Sequence, residues 1–257
     1  MDDISGKFNL AEKVAIVTGA SKGIGRNIVE GLAQYGCKVI VSSRNQDAVD
    51  EVAAGIKEAG YEATGIACHV GREEQIASLV EKTVEIYGGV DILINNAATN
   101  PVYGPINNAT GLLFDKIMNT NVRAPFLLSN LCYPIMKSRG GGSIINISSV
   151  EGLKPGMGLG VYSVSKAALI MLTQNQAKEW GKDKIRSNNI NPGLIKTKFS
   201  ESLWTNDTLM GFIKQQLPLG RIATPDEITG LALFLASDAS SYCTGANFTA
   251  DGGFMLI

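Results

Sequence analysis

Short apolar runs alternate along the whole chain with longer stretches in which apolar residues return every three or four positions. Val14 to Val17, Val39 to Ser42, Asp91 to Ile94 and Ser143 to Ile147 are short and apolar on consecutive positions, the pattern of strands buried on both faces. Between them, Ile76, Leu79, Val80, Val84 and Tyr87 share one helical face, and Asp47 to Ala59 predicts a similar, shorter helix. Strand and helix in alternation predict an α/β fold, a doubly wound parallel sheet with helices on both faces.

The segment from about Thr110 to Ser138 breaks the rhythm, because Leu112, Leu113, Phe114, Ile117, Met118, Phe126, Leu127 and Leu131 make it apolar on more than one face. A subunit interface and a deeply buried core helix both account for that pattern. Gly140, Gly141 and Gly142 form a turn into the next strand, and no linker, repeat or low-complexity stretch interrupts the chain. A single domain over 1–257 is expected.

Composition narrows the function. The 257 residues are 45% hydrophobic and 18% charged with a formal net charge of −1, and the basic residues are scattered, so no nucleic-acid or membrane-surface role is expected. The acidic Met-Asp-Asp start is unlike a secretory signal, and no apolar stretch reaches the length of a membrane span. A cytoplasmic location is the expectation. Cys37, Cys68, Cys132 and Cys243 have no paired spacing, which predicts buried reduced thiols and no metal. With His69 as the one histidine, a Ser-His-Asp hydrolase or a histidine-rich metal centre has little to build on.

After the first predicted strand comes Thr18-Gly19-Ala20-Ser21-Lys22-Gly23-Ile24-Gly25, followed by helical sequence from Arg26 to Tyr35. Glycines there permit a tight turn and close backbone approach, so a pyrophosphate can rest on amides at a helix N-terminus. The position, between first strand and first helix, is that of a Rossmann-type dinucleotide site. About twenty residues on, where a carboxylate would bind the ribose 2′-hydroxyl of NAD, the chain has Ser42-Ser43-Arg44. Arg44, Lys22 and the Ser43 hydroxyl suit a 2′-phosphate, which predicts NADP(H) over NAD(H).

A second constellation is Tyr162-Ser-Val-Ser-Lys166. On a helix the phenol and the ammonium, four residues apart, lie on one face. At about 4 Å and an effective dielectric near 20, the cation would favour the phenolate by roughly 4 kcal/mol, enough to bring its titration toward neutrality. Taken alone, an exposed Tyr beside a solvated Lys fits the same five residues.

With the glycine turn, Asn95-Asn96-Ala97 after the third predicted strand, Ser149 thirteen residues before Tyr162, and the Tyr-x-x-x-Lys itself, the chain resembles the classical short-chain dehydrogenases/reductases over essentially its whole length. Cys68-His69-Val70-Gly71, Asn96-Ala97-Ala98 with Asn100-Pro101, and Gly193-Leu194-Ile195-Lys196-Thr197 leading to Leu203-Trp204 look closest to an NADPH-dependent retinal/carbonyl reductase branch. Two positions depart from the broad family pattern. His69 stands for the Asp that faces the adenine, and Ala98 for the Gly that ends Asn-Asn-Ala-Gly.

The resemblance implies the rest of the site. Tyr162 would protonate a carbonyl oxygen that Ser149 also holds, and Lys166 would depress the phenol and bind the nicotinamide ribose. Asn121 would hold a water leading to solvent, and Pro192, Gly193, Ile195 and Thr197 would flank the nicotinamide. Val70 and Asn96 would complete the cofactor contacts. Ser148 is the rival to Ser149, one residue too far from Tyr162 for the family spacing. Residues 194–217, with Phe199, Leu203, Trp204 and Met210, read either as an apolar lid or as a core helix. The implied activity is NADPH-dependent reduction of a ketone or aldehyde to an alcohol. The alternatives are a 3-oxoacyl thioester reductase and a non-catalytic dinucleotide-binding scaffold. The implied assembly is a homotetramer built on about Thr110 to Ser138 and Val161 to Gly181.

Overall fold

Seven parallel strands form the centre of the described structure: β1 (Val14–Thr18), β2 (Lys38–Ser43), β3 (Ala63–Ala67), β4 (Ile92–Asn95), β5 (Gly142–Ile147), β6 (Ile185–Pro192) and β7 (Asn247–Ala250). Their order across the sheet is β3-β2-β1-β4-β5-β6-β7. The computed structural model describes residues 4–205 and 207–256, apart from the side chains of Ser202, Asp207, Thr208, Leu209, Phe212 and Lys214. The acidic start at Asp2 and Asp3, and Ile257, lie outside the described residues.

The helices are α1 (Gly23–Gln34), α2 (Gln46–Glu58), α3 (Glu73–Tyr87), α4 (Gly111–Met118), α5 (Ala124–Ser138), α6 (Gly160–Trp180), α7 (Glu201–Trp204), α8 (Asp207–Gln216) and α9 (Thr229–Ala236). Side chains alternate across each strand, so neighbouring residues feed two cores. Val17, Val41, Ile94 and Ile145 pack with Ile28, Leu32, Val49 and Leu235 on one face. Ile16, Ile40, Leu93 and Ile144 pack with Ile76, Leu79, Leu128 and Cys132 on the other. From β1 the chain winds outward through β2 and β3, then returns to lay β4 on the opposite side of β1. That reversal opens a crevice at the carboxyl ends of β1 and β4, where open α/β sheets bind ligands.

The four strands predicted from apolar runs are present, their ends moved by at most one residue. Three more were not evident from the pattern: β3, rich in small residues, the polar β6, and the short β7. The polar side chains of β6 are buried in hydrogen bonds. Asn95, Asn146, Asn189 and Asn247 pair in register across β4, β5, β6 and β7. Asn95 Nδ2 donates to Asn146 Oδ1 at 2.8 Å, Asn146 Nδ2 to Thr173 Oγ1 on α6 at 2.7 Å, and Asn189 Nδ2 to Asn247 Oδ1 at 3.2 Å.

The stretch expected to run from Thr110 to Ser138 is divided. A π-helical turn over Asn119–Arg123 separates α4 from α5. It turns Ile117, Leu128, Cys132 and Met136 into the core and leaves Leu112 (85% exposed), Phe114, Phe126 and Leu131 outside. Cys37, Cys68 and Cys132 are buried free thiols, whereas Cys243 is half-buried. No helix among the described residues is long and apolar enough to cross a membrane.

Candidate active site

The glycine turn connects β1 to α1 at the crevice. Gly19 and Gly23 have φ of +65° and +58°, a left-handed backbone that glycine adopts without strain. Gly25 has no room for a side chain, because a Cβ there would collide with Asn96 Nδ2 and the Gly19 carbonyl. α1 starts at Gly23, and its preceding residue Lys22 provides no side-chain cap. The first-turn amides of Gly23, Ile24 and Gly25 are therefore free to hold an anion, the arrangement a pyrophosphate needs. Asn96 supports this turn from beneath: its Nδ2 donates to the Thr18 carbonyl at 2.9 Å and the Gly19 carbonyl at 3.1 Å.

Ser43 ends β2 and Arg44 follows it, exposed, as is Lys22. Neither cation enters a salt bridge among the described residues, so both fit the 2′-phosphate expected there. Past β3, His69 is exposed and Val70 half-buried. The Gly71 amide donates to His69 Nδ1 at 3.1 Å, which leaves Nε2 as the outward donor. Pro192 closes β6, and a Cβ on Gly193 would strike Asp251. Ile195 is buried, and Thr197 lies against Gly23, its methyl 3.4 Å from where a Cβ would stand. Ser21 is half-buried within the turn.

At the same sheet edge, β5 delivers Ser149 and α6 delivers Tyr162 and Lys166, exposed by only 9%, 9% and 2%. Ser148 and Ser149 have separate partners. Ser148 Oγ donates to the Lys166 carbonyl at 3.0 Å, while the Ser149 hydroxyl accepts from the Glu151 amide and acts on the Tyr162 phenol so as to favour its ionised form. Lys166 Nζ donates to the Ile147 carbonyl at 2.7 Å and stands 5.6 Å from the Tyr162 ring centroid. The electrostatics run against the expectation that the ammonium would bring the phenol toward neutrality. Burial pushes Tyr162 up, opposed by the Ser149 hydroxyl and reinforced by the charge of Glu151. Burial also brings Lys166 down to about 7. Both side chains are thus biased toward their neutral forms, because desolvation outweighs their mutual attraction.

Asn121 is buried in the π-helical turn, with its amide bonded on every side. Its Oδ1 accepts from the Thr99 amide at 2.8 Å, and its Nδ2 donates to the Thr99 carbonyl and to Ser165 Oγ, both at 3.0 Å. Both amide hydrogens are used within the protein, so this side chain ties the 99–105 loop to α6 instead of donating to a water.

Opposite Tyr162, the Phe199 ring lies with its centroid 6.0 Å away and is 55% exposed. Trp204 donates its Nε1 hydrogen to the Thr197 carbonyl at 2.8 Å under Lys196, and Met210 is buried. Of the aromatic residues expected in a lid, Phe199 faces the site and Trp204 anchors the segment. Sequence reasoning passed over Ser165 and Glu151. Ser165 follows Tyr162 by one helical turn, a spacing that does mark the inward face. Glu151 matches no motif.

A sequence model of the family described as enoyl-(acyl carrier protein) reductase matches residues 19–255. The dehydrogenase/reductase SDR family member 4 of Sus scrofa is 44% identical over 244 residues, 95% of this chain and 88% of that protein. Among solved structures, a putative NAD(P)-dependent gluconate 5-dehydrogenase from Beutenbergia cavernae, with bound NADP, superposes with a TM-score of 0.94 at 33% identity, covering 98% of this chain and all of that one. A 7α-hydroxysteroid dehydrogenase complexed with NADH and 7-oxoglycochenodeoxycholic acid also reaches 0.94, at 34% identity and 98% coverage of both chains. With the glycine turn, the Ser149–Tyr162–Lys166 cluster and these relatives in agreement, the chain belongs to the short-chain dehydrogenase/reductase family of oxidoreductases.

Proposed function

We propose that this protein is an NADP(H)-dependent carbonyl reductase acting reversibly on ketones or aldehydes, with Tyr162 as the acid/base. The observation that carries the reading is the buried Ser149–Tyr162 hydroxyl pair, backed by Lys166 at the sheet edge where the glycine turn opens. The nicotinamide, when bound, supplies or accepts the hydride. Ser149 and Tyr162 donate two hydrogen bonds to the carbonyl oxygen as its negative charge grows, and Tyr162 passes its proton to that oxygen. Lys166 holds the ribose hydroxyls beside the phenol. Asn121 acts as a positioning residue, fixing the 99–105 loop against α6.

Arg44, Lys22 and Ser43 support NADP(H) as the dinucleotide, with Gly19, Ser21, Gly23, Ile24, Gly25 and Asn96 at its phosphates and His69 and Val70 nearer its adenine. The exposed Phe199 above Tyr162 favours a carbonyl carried on apolar carbon, and the steroid dehydrogenase neighbour takes such a ketone. Residues 194–217 are the lid in this reading, on one catalytic domain. The apolar residues left outside on α4 and α5, with Val164 and Met171 exposed on α6, support a homotetramer packed through these helices. Free cysteines suit a reducing compartment such as the cytoplasm.

The test is NADPH consumption by wild type and Tyr162→Phe against α-diketones, quinones, retinal, cyclic ketones and a 3-oxoacyl thioester. Retained NADPH binding with turnover reduced by roughly 10² or more is expected of the variant. Unchanged turnover would remove Tyr162 from its role, and thioester as the preferred substrate would replace the carbonyl reductase reading.

A further inference from the structure

Glu151 lies two residues past Ser149, in the single turn Val150–Gly152 that rests on α6. Its backbone amide donates to Ser149 Oγ at 3.1 Å. Its carboxylate Oε2 accepts from the Gly156 amide at 2.6 Å and from Ser163 Oγ at 3.0 Å. Three pieces of the site therefore meet on one residue: the Ser149 hydroxyl, the loop on the substrate side, and the first turn of the helix that carries Tyr162.

The surrounding backbone is shaped to keep the carboxylate there. A Cβ on Gly156 would come within 2.5 Å and 2.7 Å of the two carboxylate oxygens. A Cβ on Gly152 would come within 2.8 Å of the Lys166 carbonyl carbon, so the turn can rest on α6 only as glycine. α6 itself has no side-chain cap from Leu159 at its start. An uncapped helix start favours a negative group, and Glu151 brings one from a different element.

We propose that Glu151 is a positioning residue for the Ser149–Tyr162 pair, tying the 153–159 loop to the first turn of α6 and holding a negative charge beside the phenol. The proposal rests on the reading of Tyr162 as the acid/base. Titratable groups stand on each element around that phenol. α6 carries Lys166, the turn carries Glu151, and the following loop carries Lys154. The 99–105 loop carries Tyr103, and the 194–200 segment carries Lys198 and Lys196, the latter over Trp204 at 5.1 Å. Among them the charge of Glu151 favours the protonated phenol. Removing that charge eases loss of the proton, so the pH at which alcohol oxidation reaches half its maximum moves down.

The experiment is the pH dependence of kcat for alcohol oxidation at saturating NADP, in wild type, Glu151→Gln, Glu151→Asp and Tyr162→Phe, with NADPH affinity and melting temperature measured alongside. For Glu151→Gln the midpoint falls by roughly 0.5–1 pH unit while NADPH affinity is kept. Glu151→Asp retains the charge but is one methylene too short to hold Gly156 and Ser163 together. It keeps the midpoint and loses roughly tenfold in kcat. A Glu151→Gln midpoint that stays or rises, with Tyr162→Phe inactive, overturns the role of Glu151 alone. An active Tyr162→Phe overturns the acid/base reading instead. If Glu151→Gln does not fold, Glu151→Asp decides, and wild-type kcat in that variant overturns the proposal.

Discussion

Lys166 Nζ donates to the main-chain carbonyl of Ile147, so the ammonium is fastened to the last residue of β5 while almost wholly withdrawn from water. Burial holds it near 7, against roughly 10.4 for the unfolded chain. Between those values the unfolded state binds the extra proton, so this residue costs stability in full below about pH 7, and the cost is relieved as pH rises toward 10. Lys166→Met should therefore abolish turnover yet raise the melting temperature at pH 7 by about 2–4 °C, with the advantage shrinking at pH 9. Thermal melts at the two pH values check this. A lower melting temperature at pH 7 would mean that the bond to Ile147 outweighs desolvation.

Arg44 stands at the end of β2 where a carboxylate would serve NAD. Arg44→Asp should reverse the preference between NADPH and NADH, lowering kcat/KM with NADPH on the order of 10²-fold. Turnover with the two dinucleotides checks it. A wild-type preference for NADH would end the argument for a 2′-phosphate site.

Phe199 and Trp204 should separate in kinetics. Phe199→Ala removes the ring facing Tyr162, and raises KM for bulky ketones by roughly tenfold while leaving small ketones nearly unchanged. Trp204→Ala loses the anchor to Thr197, and lowers kcat/KM for both sizes alike. A panel of ketones of graded size distinguishes the two patterns.

Thr173 links the catalytic helix to the sheet, accepting from Asn146 and donating to Asn189 at 2.8 Å. Thr173→Val keeps the shape and leaves buried amides short of a partner. A loss of about 1–3 kcal/mol in urea unfolding, at unchanged slope, is expected.

The strands legible in the sequence are those whose runs are apolar, since β1, β2, β4 and β5 bury Val, Ile and Leu on both faces. β6 is buried too, but Ser187, Asn188, Asn189 and Asn191 achieve that through bonds to α6, to β7 and to the segment before β7, partners far away in the chain. Hydrophobic periodicity carries no trace of such partners. Asn121 was legible only by family likeness, because what occupies its amide is Thr99, twenty-two residues earlier. The proximity of Tyr162 and Lys166 follows from helical spacing, whereas their shared neutrality comes from the depth of burial, which sequence spacing does not contain.

The π-helical turn at Asn119–Arg123 accommodates one residue more than a regular helical turn. That added residue offsets the rotational phase of α4 against α5 by about 100°. Deleting one residue there would restore a continuous helix. It would also swing Leu112 and Phe114 to another side of the molecule than Phe126 and Leu131, and lift Asn121 away from Thr99. The outer apolar surface and the innermost amide of the site are thus geared to one another, and a single inserted residue sets both.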